Sequence, residues 1–61
     1  MTFQTIDTFR SLFQSKGFST KTFIDVVDSK KQWVLQIIRQ ESVRTTLFFD
    51  YKTETLINIT D

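Results

Sequence analysis

Histidine and cysteine are both missing from the 61 residues, so any chemistry rests on carboxylates, hydroxyls and amines. Asp25 and Asp28 are an odd number of positions apart, and on one strand they would point to opposite faces. Asp50 and Glu54 flank a turn and are placed to approach each other. A divalent cation there would need oxygen ligands from several loops, and no acidic spacing matches a calcium loop. The expectation is solvated turn acids and no metal site. Serine and threonine hydroxyls are plentiful, but the commonest general base is absent. A lysine base needs burial to lower its pKa, and the lysines fall in predicted turns, helix ends or strand edges. One glycine makes no phosphate-cradling loop, and a chain this small has little room for a ligand-sized pocket. The residues predict neither catalysis nor a cofactor.

Binding chemistry is better supplied. Lys30 and Lys31 lie at a predicted hairpin tip, and Arg39 and Arg44 flank another turn. With Phe23 and Phe48 on a sheet face for base stacking, these four cations make nucleic acid a reading to weigh. Against it, seven acids offset eight bases and the pI is about 8.1, below the usual nucleic-acid footprint. Lysines at sheet edges also have a routine purpose, blocking edge-to-edge aggregation.

The elements that must position these groups follow from hydrophobic spacing. Phe3, Ile6, Phe9, Leu12 and Phe13 recur at three and four, which predicts a helix over 3–16. Thr2 or Thr5 would cap its start, and Asp7 suits its dipole. Lys16-Gly17-Phe18 predicts a left-handed stop with a hydrophobic contact folding back. The period then shortens to two. Strands are predicted at 22–28, 33–40, 43–50 and 54–60, with turn signals about ten residues apart. No Asn-Gly pair marks a tight primed turn, so somewhat longer loops are expected. The fold class is α+β: one N-terminal helix packed on a four-stranded antiparallel meander, a single small domain of 61 residues.

Trp33-Val34-Leu35-Gln36-Ile37-Ile38 is the most apolar run and predicts the central strand. Alternation puts Trp33, Leu35 and Ile37 under the helix, with Ile24 and Val26, Leu47 and Phe49, and Ile57 and Ile59 from the neighbouring strands. It leaves Phe23, Val27, Val34, Ile38, Phe48 and Leu56 on the reverse. One helix cannot cover both faces, and an apolar patch of a few hundred Å² marks an interaction surface. Phe23, Val34, Ile38, Phe48 and Leu56 are therefore the candidate protein interface. The competing expectation is that strong twist folds part of that face into the same core.

A domain this small buries only about 60% of its unfolded surface, and disulfides, a metal or association usually supplement it. Without cysteine, association with itself or a partner is the expected supplement. No apolar run reaches membrane-spanning length and no secretory pattern opens the chain, so a cytoplasmic, membrane-free protein is expected. The sequence predicts a small non-catalytic protein-binding module (a regulator, inhibitor or accessory subunit), with nucleic-acid binding as the alternative.

Overall fold

A computed structural model describes residues 5–60, and the predicted helix start at Phe3 and the Thr2 cap lie outside them. The order is α1 (Ile6–Ser15), β1 (Ser19–Val27), β2 (Lys30–Arg39), β3 (Ser42–Asp50) and β4 (Leu56–Thr60). The strands form one antiparallel sheet in sequence order. This is the predicted α-β-β-β-β meander.

Helix α1 begins at Thr5, whose extended backbone makes it the N-cap although its hydroxyl bonds none of the first amides. Asp7 in the first turn pairs with Arg10 one turn on. The helix stops as its sequence dictates. Gly17 takes φ +91°, which costs glycine nothing. Its N–H donates to the Gln14 carbonyl, and Phe18 N–H donates to the Phe13 carbonyl, both at 3.1 Å. The Phe13 and Phe18 rings meet edge-on at 5.8 Å. Together these make a Schellman cap with its apolar clasp.

The core is one layer between α1 and the sheet. Ile6, Leu35, Ile37, Leu47 and Phe49 are buried there, with Phe9, Phe13, Phe18, Trp33 and Leu56 packed around them. Phe9 and Phe49 bring their ring centres within 5.6 Å. Ten helical residues span only about 15 Å, so α1 leaves the sheet margins open. Ile24, Val26 and Ile59 lie on the helix side by register and stay exposed, as does Leu12.

Two hairpin turns are shorter than the sequence suggests. β1 and β2 close on the Val27–Lys30 pair and β2 and β3 on the Arg39–Ser42 pair. The linking residues, Asp28-Ser29 and Gln40-Glu41, all take positive φ. Two-residue loops with both φ positive are primed turns, whose twist matches the strands they join. Strand twist overrode the absence of Asn-Gly, and so β2 begins at Lys30 rather than at 33; β1 begins at Ser19 rather than at 22, paired with Ile38 at the far end of β2.

Two irregularities also change which way side chains point. A shift between Ile37 and Ile38 leaves Arg44 as the extra residue, so Val43 pairs with Ile38. Another shift beside Phe49 makes Ile57 the extra residue and pairs Leu56 with Phe49. Each bulge moves a residue to the face opposite the one strict alternation assigns.

Candidate functional site

The face away from the helix carries the candidate interface. Across it runs an aromatic row: Phe23 on β1, Val34 on β2 and Phe48 on β3 stand in register, with Asn58 on β4 completing the row. Val34 is only 2% exposed although no helix covers it. Its in-register neighbours are the two phenylalanines, both half-buried, so Val34 is the floor between two rings. The Lys21 ammonium sits 6.0 Å from the Phe23 ring centre, where its charge meets the ring face.

Polar rows flank this aromatic row on both sides. Asp25, Gln32 and Asp50 stand in register along one side, and Lys21, Gln36, Thr46 and Thr60 along the other. Beyond the second polar row, Ile38 pairs with Val43, which is 50% exposed. On the other flank a hollow is lined by Val27, Asp28, Gln32, Phe48, Ile57 and Asn58, where Ile57 is 52% exposed.

Four of the five predicted interface residues, Phe23, Val34, Ile38 and Phe48, are placed on this open face. Leu56 is not. It opposes Phe49 and packs against the core, because the bulge at Ile57 reverses the alternation that had put it outside. Ile57 and Val43 take the open-face positions the sequence reading missed, and both owe them to bulges. No local sequence signal marks either bulge.

The four predicted basic residues do not form one groove. Lys30 and Lys31 open β2, while Arg39 closes it and Arg44 follows the next turn. About nine residue steps of strand separate the two groups by roughly 30 Å. At the Lys30 end, Lys30, Lys31, Asp50, Tyr51 and Lys52 line one hollow. Tyr51 stacks on Trp33 with ring centres 5.8 Å apart, and the Lys31 ammonium lies 5.5 Å from the Tyr51 ring centre. The Trp33 indole N–H donates to the Tyr51 carbonyl at 3.2 Å. At the other end the Arg39 guanidinium covers the Phe18 ring at 5.2 Å, and Arg44 donates to the Gln40 side-chain oxygen.

Two carboxylates, Asp50 and Asp25, bond backbone amides. Asp50 accepts from the Lys52 and Thr53 amides at 2.8 and 2.9 Å. Those two bonds, Thr53 foremost, hold its carboxyl below the usual aspartate range. Glu54 turns instead into a cleft with Ile6, Asp7, Arg10, Thr22 and Trp33, so the two acids line different hollows. Asp25 accepts from the Val26 amide at 2.8 Å and Asn58 from the Ile59 amide at 2.9 Å. Hydrogen-bond alternation from the closing pairs turns both amides toward the outer sheet edges. Each edge strand thus satisfies one of its own outward donors, a partial guard against strand addition. Among the described residues no group of three acids stands close enough to hold a metal, and no helix is long and apolar enough to cross a membrane. Comparison of this chain with protein-family models, with curated proteins and with solved structures finds no match.

Proposed function

We propose that this chain is a non-catalytic protein-binding module that docks a protein on the sheet face opposite its helix. The observation that carries this reading is the row of Phe23, Val34 and Phe48, with two half-buried rings on a face that none of the described elements covers. The apolar residues left over on the helix side sit at opposite margins, Ile24 and Val26 on β1 and Ile59 on β4. On the open face the row of Phe23, Val34 and Phe48 crosses three adjacent strands without interruption. Paired rings around a desolvated floor are the kind of anchor that dominates protein interfaces.

Phe48→Asp tests the reading. The variant is expected to keep its circular dichroism and a cooperative melt, while losing association and binding less of an apolar-surface dye. Loss of the fold would place Phe48 in the core and remove the docking face.

Nucleic acid is the second reading, favoured by the gathering of Lys30, Lys31 and Lys52 around Tyr51. It predicts oligonucleotide binding that weakens steeply with salt and is mostly lost in Lys30→Glu with Lys31→Glu. No binding at low salt ends it. In either reading the protein works in the cytoplasm as a regulator, inhibitor or accessory subunit.

A further inference from the structure

We infer that the open face pairs with the same face of a second copy of this chain, about a twofold axis lying along the Phe23–Val34–Phe48 row. This rests on the docking reading above and names the occupant. The carrying observation is the charge pattern of the two flanking rows. Asp25, Gln32 and Asp50 are on one side, and Lys21, Gln36 and Thr46 are on the other, each in register across β1, β2 and β3.

Rotation about the central row turns the sheet over and exchanges those rows. Lys21 of one copy then stands over Asp25 of the other, Gln36 over Gln32, and Thr46 over Asp50. Ammonium meets carboxylate, amide meets amide, and hydroxyl meets carboxylate, so each pairing joins a donor to an acceptor. By symmetry every pairing occurs twice. The competing twofold, along β2, lays Asp25 over Asp50 and leaves Lys21 above Thr46. Like charges brought together penalise that arrangement. Of these two axes, the polar rows favour the one along the aromatic row.

Size and geometry fit. Stacked sheets lie about 10 Å apart with strands within about 30° of each other, a gap that phenylalanine rings and a lysine stem reach across. Three strands of nine or ten residues and one of five, about 4.8 Å apart, present roughly 500 Å² per copy, which doubled reaches about the 1,000 Å² that a specific interface must clear. The protein also has reason to associate. Only six hydrophobic side chains are buried among the described residues, and a chain without cysteine has no disulfide to supplement so small a core.

Sedimentation equilibrium on the intact chain, with two charge variants, tests this. At about 100 µM, enough to populate a dimer of micromolar Kd, the wild type is expected to be dimeric. Lys21→Glu sets a second carboxylate against Asp25, and Asp25→Lys sets a second ammonium against Lys21. Each alone is expected to weaken the dimer at least about tenfold. In a mixture of the two, the first variant's new carboxylate faces the second variant's new ammonium, and the first variant's Asp25 faces the second variant's Lys21. Both are opposite-charge pairs, so the mixture is expected to regain the wild-type dimer as a heterodimer. Circular dichroism verifies that both remain folded. A monomeric wild type overturns the pairing, as do variants that dimerise unimpaired or a mixture that stays monomeric. Those outcomes leave the docking face itself intact if Phe48→Asp stays folded, whereas unfolding of Phe48→Asp removes the face and the pairing together.

Discussion

Asp50 shows how a single side chain can be spent on backbone rather than chemistry. Its carboxylate closes the β3–β4 loop by accepting the Thr53 and Lys52 amides, and this depresses its folded pKa. A depressed carboxylate pKa stabilises the fold above the unfolded aspartate value of about 3.9, and the contribution is lost as pH falls through the folded value. The wild-type melting temperature is therefore expected to drop in that acid window. Asp50→Asn keeps an acceptor oxygen but does not titrate, so its melting profile is expected to be flatter there. Thermal melts of both proteins between neutral pH and strong acid measure the difference. The sequence reads Asp50 and Glu54 as solvated turn acids placed to approach each other, but their direction into different hollows depends on how this loop coils. Glu54 at φ +59° and its N–H donating to the Asp50 carbonyl set that coil.

At the scale of elements, the hairpins carry strain that the sequence does not advertise. Ser29 and Glu41 occupy left-handed positions, φ +66° and +63°, where glycine is the comfortable residue. Ser29→Gly and Glu41→Gly are each expected to stabilise the domain by about 1 kcal/mol, a rise of about 4–8 °C in Tm. Calorimetry on each variant measures the gain. The helix stop was legible because Lys16-Gly17-Phe18 is a local device, complete in adjacent residues. The strands were legible because alternation is local too. The turns and bulges were not, because they answer to the twist of a sheet whose other strands are remote in sequence. That is why Leu56 exchanged places with Ile57, and why Val43 joined Ile38 on the open face.

As a whole, the described residues form a thin body, 32 × 30 × 16 Å, with one face covered by α1 and the other open. If the open faces pair, folding and association are linked, and stability rises with protein concentration. The melting temperature is then expected to climb as the wild type is concentrated from micromolar to near-millimolar, and to stay constant for Phe48→Asp. Scanning calorimetry over that range reads it directly.

The sequence by itself determined the elements, their order and the existence of an apolar surface larger than one helix can bury. Period, composition and a single glycine suffice for these, since each acts over a few neighbouring residues. Only the tertiary structure decided the makeup of that surface. Pairing between strands placed Phe23, Val34 and Phe48 in one row, lined Asp25 up with Gln32 and Asp50 and Lys21 with Gln36 and Thr46, and returned Leu56 to the core. Register and bulges are agreements between separate segments, and no one segment contains them.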